Sequence, residues 1–311
     1  MGFRPSAYIS ASRDGRLAKA AETARNALKS CNLCPRQCRV NRLKGELGVC
    51  RTGENAKVSS FDAHFGEEAP LVGRNGSGTI FFTYCNLQCI FCQNFDISHE
   101  GHGIATNVHE LAEMMLSLQN AGCHNINFVT PTHVVAQILE ALEIAVSEGL
   151  HIPLVYNSSG YDRVATLKLL DGIIDIYMPD FKFWRSETAH RLCNARDYPQ
   201  QAQAAIQEMH RQVGDLVVDR DGIAVRGLLI RHLVLPEGLA DTRKIMHFIA
   251  RHISLNSFVN IMPQYRPCGQ ASLFPPLDHP LTPEDYEEGI KSAREEGLKR
   301  LDRPVRRFLL W

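Results

Sequence analysis

Thr79-Ile80-Phe81-Phe82-Thr83-Tyr84-Cys85-Asn86-Leu87-Gln88-Cys89-Ile90-Phe91-Cys92 decides how this chain is read. The stretch 79–83 is an apolar run of strand length, and three thiols follow it at spacings of four and three residues. A closed zinc or iron–sulfur site normally takes four protein ligands. Three thiols on one compact loop at a strand end therefore predict a cluster with one metal left open to a small molecule. The bland alternative is three core cysteines gathered by chance.

Outward from that loop, short apolar runs alternate with helical patterns. Strands are expected at 57–65, 79–83, 125–130, 153–156, 174–178, 228–235 and 257–262. Helices are expected at 14–29, 108–121, 133–148, 162–171, 197–213, 240–252 and 283–297. Leu111, Met114, Met115 and Leu118 form an apolar stripe on one helix, and Ile138, Leu142 and Ala145 on the next. This alternation predicts an α/β fold with a parallel sheet. Six such units suit a partial (β/α)6 TIM-like barrel, open rather than closed. Leu216–Val218 and Ile223–Val225 read as a hairpin about Asp219-Arg220-Asp221-Gly222. Val305–Trp311 reads as a final strand or a covering segment, and Arg306 and Arg307 as surface charges. Residues 1–56 read as an N-terminal helix with a small cysteine-rich metal-binding element, and 57–311 as the barrel domain.

In parallel α/β folds functional groups collect at the carboxyl ends of the strands. Beyond the cysteine loop, that rule selects Thr130, Pro131, Thr132 and His133, then Asn157, Ser158 and Ser159, then Asp180 and Lys182. Gln264 and Tyr265 end the last of these strands. One cavity rimmed by these groups is expected. Glu67 and Glu68 face that cavity or are solvated loop carboxylates; the pattern leaves both open.

Thirty-four basic and 34 acidic residues cancel, so bulk charge offers no argument for nucleic acid or a membrane surface. Met1–Ser6 lacks the apolar core of a secretory signal and no apolar run is long enough to span a bilayer, so the expected compartment is the cytoplasm. Ten cysteines in a reducing compartment suggest metal binding or catalysis rather than disulfides. Cys123, Cys193 and Cys268 stand apart and read as small buried hydrophobes. Cys31, Cys34, Cys38 and Cys50 form a second group of four, enough for zinc or an accessory iron–sulfur cluster. The alternative is a structural staple docking the N-terminal helix to the barrel.

The cysteine loop, with Phe91 before its last thiol, resembles the radical SAM superfamily. The likeness extends through Phe65-Gly66-Glu67-Glu68-Ala69-Pro70, Gly76–Phe82, Cys92-Gln93-Asn94, Asn127–His133, Arg231–Pro236 and Met262-Pro263-Gln264-Tyr265. These segments are similar to pyruvate formate-lyase activating enzyme-like proteins, and among them to the uncharacterised PflX-like group. The resemblance implies a 4Fe-4S cluster on Cys85, Cys89 and Cys92 whose open iron binds S-adenosylmethionine (SAM), reductive cleavage of SAM, and hydrogen abstraction by the resulting radical. It implies SAM contacts from Thr130, Asn157, Ser158, Asp180 and Lys182. Thr130-Pro131-Thr132 departs from the Gly-Gly-Glu run that holds the SAM amino group in relatives. An electron donor such as flavodoxin or ferredoxin is implied too, and a peptide or protein substrate whose glycine gives up its α-hydrogen. A small metabolite or another macromolecule is the alternative substrate, and a non-catalytic redox or zinc protein the alternative class.

Overall fold

The structure is a computed structural model describing residues 5–302. The expected tail at Val305–Trp311, with Arg306 and Arg307, lies outside the described residues.

The strands are β1 (Ala56–His64), β2 (Ser77–Phe82), β3 (Ile104–Thr106), β4 (Ile126–Val129), β5 (Leu154–Ser158), β6 (Ile176–Pro179), β7 (Val217–Val218), β8 (Ala224–Leu233), β9 (Phe258–Met262) and β10 (Arg300–Leu301). They form one sheet in the order β10-β9-β8-β6-β5-β4-β2-β1-β3, with β7 paired to β8. Pairing is parallel from β2 through β4, β5, β6, β8 and β9 to β10. β1 is antiparallel to both β2 and β3, and β7 to β8. The result is a mixed α/β fold with a mostly parallel sheet, as the alternating pattern predicts.

The register separates two layers. Val155, Ile176 and Leu229 occupy one face, in register with Gly227 and Phe258, and pack with Met178, Leu216, Ala224 and Leu71 in a small inner cluster. Their sequence neighbours Tyr156, Tyr177, Leu228 and Ile230 belong to the larger outer cluster, where the helices pack. A period of two places each neighbour on the opposite face. Leu71, from the short helix Ala69–Val72, is fully buried in the inner cluster, and its carbonyl accepts from Asn125 Nδ2 at 2.9 Å.

The helix expected at 14–29 is Arg16–Ala27, and a helix that was not expected, Ala7–Arg13, precedes it across Gly15, whose φ of 79° an L side chain adopts only with strain. The helix Ser186–Cys193, built from mostly polar residues, was not expected; Thr188, Ala189, Leu192 and Cys193 are its buried side. Where a helix begins with a local hydrogen-bonding signature it starts as expected: Asn107 and Glu110 form a reciprocal capping box at Val108–Asn120. Among the described residues no helix is long and apolar enough to cross a membrane.

Candidate active site

Higher on the inner face the apolar cluster gives way to polar side chains. Continuing each strand by two residues turns Val155 into Asn157, Met178 into Asp180 and Leu229 into Arg231, which is in register with Asn260 on β9. Arg231 is the hub. It donates to Asp180 Oδ1 from Nε at 2.7 Å and to Asn157 Oδ1 from Nη2 at 2.7 Å, and its Nη1 lies 3.6 Å from Glu67 Oε2. Lys182 Nζ donates to the second oxygen of Asp180 at 2.5 Å. Glu68, 5% exposed, accepts from Asn260 Nδ2 at 2.8 Å through Oε1.

Burial and mutual repulsion set the protonation of this network. Burial raises Glu67 to about 7, the Glu68 carboxylate adds to the rise, and Arg231 opposes it. Burial also acts to raise Asp180, but Arg231 and Lys182 together outweigh it and hold that carboxyl below the usual range. For Lys182 burial acts downward, and Asp180 and Cys89 more than reverse it. Charged groups this deep persist only when paired.

The cysteine loop leaves β2 at its carboxyl end, beside this network. Cys89 is buried, while Cys85 and Cys92 are partly exposed. The thiols are electrostatic neighbours. Burial, with the charge of Cys89, pushes Cys85 up to about 12 and raises Cys92. Cys89 moves the other way, first through a hydrogen bond from the Cys193 thiol and then, against burial, through the charge of Lys182. Leu87 N–H donates to Cys85 Sγ at 3.4 Å. Phe91 is buried between Phe183 and Tyr265, with ring centroids at 6.0 and 6.1 Å. Gln270 N–H donates to Ile90 O at 2.8 Å, closing the C-terminal segment over the loop.

Several polar atoms around this mouth are buried without a partner: Thr83 Oγ1, Asn127 Oδ1, Ser159 Oγ and Glu68 Oε2. Buried polar atoms are ordinarily satisfied, so hydroxyl, amide and carboxyl groups left open near the cysteine loop and a buried lysine fit a polar ligand. Thiolate donors suit iron–sulfur ligation. Among the described residues no three His, Cys, Asp or Glu side chains stand in a finished metal-holding arrangement. The fit is one of donor chemistry and place.

The residues selected at strand ends fare differently. Thr130 is half-buried after β4, and Asn157, Asp180 and Lys182 join the Arg231 network. Ser158 Oγ donates to Asp162 Oδ2 at 2.6 Å, and Thr132 and Tyr156 donate to the same carboxyl group, so this hydroxyl braces the loop after β5. His133 is buried, held near a pKa of about 4 by desolvation; its Nε2–H donates to Thr83 O at 2.9 Å. It therefore positions the start of the cysteine loop as a neutral ring. Sequence reasoning passed over Arg231 and Asn260 because both lie inside strands rather than after them. The alternation Leu229-x-Arg231-x-Leu233 was the available signal.

The N-terminal thiols share one neighbourhood as well. Burial and then the thiol of Cys50 push Cys34 up to about 12, with smaller contributions from Cys31 and Cys38. Arg42, 1% exposed, lies beside them with Nη1 3.9 Å from Cys31 Sγ; Nε and Nη1 donate to Gly53 O and His133 O, and Nη2 has no partner. An open buried guanidinium nitrogen beside four thiols fits an anionic thiolate centre. This group lies against the cysteine loop, where Gln88 Nε2 donates to Val49 O at 2.9 Å, and it also meets the barrel, where Arg163 Nη1 donates to Asn32 O at 2.9 Å and Thr166 Oγ1 to Leu33 O at 2.7 Å.

Two comparisons with known proteins bear on the family. The model of the radical SAM superfamily matches residues 79–224, from β2 through the start of β8. An uncharacterised protein of Methanocaldococcus jannaschii, MJ0674, is 36% identical over 287 residues, covering 89% of this chain and 78% of the relative. The matched span opens on the strand that carries the three-thiol loop and includes every strand-end group that meets Arg231. This chain belongs to the radical SAM superfamily.

Proposed function

We propose that the protein is a radical SAM enzyme of the pyruvate formate-lyase activating enzyme-like branch, acting on a peptide or protein substrate. Superfamily membership implies a 4Fe-4S cluster and SAM. When bound, the reduced cluster would supply the electron that cleaves the SAM sulfonium, and the chemistry available at the site would be hydrogen abstraction from a substrate. The observation carrying the proposal is the three-thiol loop at the mouth of a parallel sheet, near unsatisfied buried polar groups and a buried lysine.

Cys85, Cys89 and Cys92 would hold the cluster. Lys182, kept protonated by Asp180, is suited to pair with the SAM carboxylate. Asn157 and Thr130 offer polar contacts to the ribose and amino group, and Ser158 holds the intervening loop through Asp162. A flavodoxin or ferredoxin would serve as electron donor. Cys31, Cys34, Cys38 and Cys50 form a second metal site in this reading, zinc or an accessory iron–sulfur cluster. The likeness to activating enzymes favours a backbone glycine, whose radical is delocalised over the peptide. The charged inner face (Glu67, Glu68, Arg231) favours a second reading, a small polar metabolite.

Anaerobically reconstituted protein with a reductant should convert SAM to 5′-deoxyadenosine and methionine, and Cys85→Ala/Cys89→Ala/Cys92→Ala should not. Failure of the wild type would refute the enzyme reading. A glycyl-type electron paramagnetic resonance signal arising only with a protein partner would select the first substrate class; consumption of a small polar substrate without that signal would select the second. Metal analysis of the triple variant reads the N-terminal group by itself.

A further inference from the structure

The cysteine loop does not support itself. Tyr84 and Gln88 adopt positive φ angles of 64° and 56°, a region that residues with side chains enter at a cost. Something outside the loop must hold it. One side chain reaches it from the N-terminal cysteine group: Arg36, between Cys34 and Cys38.

The Arg36 guanidinium meets four carbonyls. Nε donates to Asn86 O at 2.9 Å, and Nη2 to Leu87 O at 3.2 Å and Cys193 O at 2.7 Å. Nη1 donates to Asn194 O. Asn86 and Leu87 lie between the first two thiols of the loop. Cys193 and Asn194 end the helix Ser186–Cys193, where Asn194 turns into the left-handed region at φ 47°. The last carbonyls of a helix lack amide partners and favour a cation. The same two segments meet again where Ile90 N–H donates to Leu192 O at 3.0 Å. The guanidinium also lies 5.3 Å from the Tyr161 ring centroid.

Arg36 is itself held by a tight knuckle. Gln37 N–H donates to Cys34 O at 3.1 Å, Cys31 N–H to Val40 O at 2.8 Å and Arg39 N–H to Cys31 O at 2.9 Å. Gln37 and Arg39 both take positive φ. The knuckle's shape therefore depends on how Cys31, Cys34 and Cys38 are drawn together.

We propose that Arg36 is a positioning residue that clamps the cysteine loop to the end of the Ser186–Cys193 helix, and that the N-terminal cysteine group sets how firmly the loop is held. Its bearing on the cluster rests on the reading of Cys85, Cys89 and Cys92 as ligands. Lysine cannot replace the clamp, because one compact ammonium does not reach the four carbonyls that the forked guanidinium spans.

The test is amide hydrogen exchange by mass spectrometry on cluster-free protein, so its outcome does not depend on cofactor loading. In Arg36→Ala, exchange in the segment 84–92 should rise about tenfold while β4 and β5 stay as in wild type, because a local opening and not global unfolding is relieved. Arg36→Lys should behave nearly as Arg36→Ala, and also serves if the alanine variant fails to fold. Cys34→Ser/Cys38→Ser should loosen the same segment. Reconstituted Arg36 variants should release iron to a chelator several-fold faster than wild type, about in proportion to the exchange. Wild-type exchange at 84–92 in both Arg36 variants overturns the clamp. Wild-type exchange in the double cysteine variant overturns control by the N-terminal group. If wild type takes up no iron at the loop, the cluster reading fails while the exchange data still decide the clamp.

Discussion

Replacing Glu67 with glutamine tests the buried charge network most directly. The Glu67 side chain is 8% exposed, faces Glu68, Arg231, Asp180 and Asn127, and binds its proton up to about pH 7 against an ordinary 4.5. Each tenfold change in proton affinity corresponds to about 1.4 kcal/mol, so this difference corresponds to about 3 kcal/mol. Below pH 4.5 the folded and unfolded chains both carry the proton, and burial of the neutral acid incurs no charge penalty. Between pH 4.5 and 7 the unfolded chain releases the proton while the folded chain keeps it, so stability falls as pH rises. Above 7 the loss is complete. Glutamine is neutral throughout and has no such slope. Urea denaturation of cluster-free wild type and Glu67→Gln from pH 4.5 to 8 should therefore show the difference shifting by about 3 kcal/mol in favour of the variant as pH rises. Asp180, held low by Arg231 and Lys182, contributes in the opposite sense at lower pH, and to first order it cancels between the two proteins. Parallel curves, with the difference constant to about 0.5 kcal/mol, would refute the assignment.

Arg231→Ala should be more damaging, losing about 3–5 kcal/mol at pH 7.5 by denaturation, because Asp180 and Glu67 lose their shared cation; a loss under about 1 kcal/mol would mean water solvates the site. Gly160→Ala should disturb the mouth itself: Gly160 has φ 75° and an added Cβ would meet the Asp180 carbonyl oxygen at 2.1 Å. The expected result is a lowered melting temperature and weaker SAM binding by calorimetry in reconstituted protein, and wild-type values for both would count against the close approach. Leu71→Ala removes the side chain that packs into the inner cluster and should cost about 2–5 kcal/mol in urea; a much smaller cost would mean that the inner layer collapses around the gap.

The positions of β1, β2, β4, β5, β6, β8 and β9 and the place of the three-thiol loop were legible because both depend on local pattern, whereas the short edge strands β3 and β10 were not expected. Apolar runs of strand length between amphipathic helices specify parallel βα units, and thiol spacing needs no distant partner. Thr130, Asn157, Asp180 and Lys182 followed from the rule that strand ends carry function. What stayed hidden was long-range. Arg231 looked like a polar residue beside His232 within an apolar strand until the register set it beside Asp180 and Asn157. Cys193 looked like a lone buried cysteine, and buried it is, but the close of its helix brings its thiol to Cys89. The helix Ser186–Cys193 escaped notice because too few of its residues are apolar.

By itself, then, the sequence determined the alternation of the main parallel strands with their helices, the three-thiol loop and the kinship with radical SAM proteins, since periodicity and short spacings are properties of neighbouring residues. Only the tertiary structure decided which charges share the inner face, that Ser158 is bound to Asp162, and that Arg36 reaches from one cysteine group to the other. The partners of a buried charge or an open carbonyl come from whichever strands and loops the fold brings within about 3 Å, and hydrogen-bond geometry at that range is unrelated to separation along the chain.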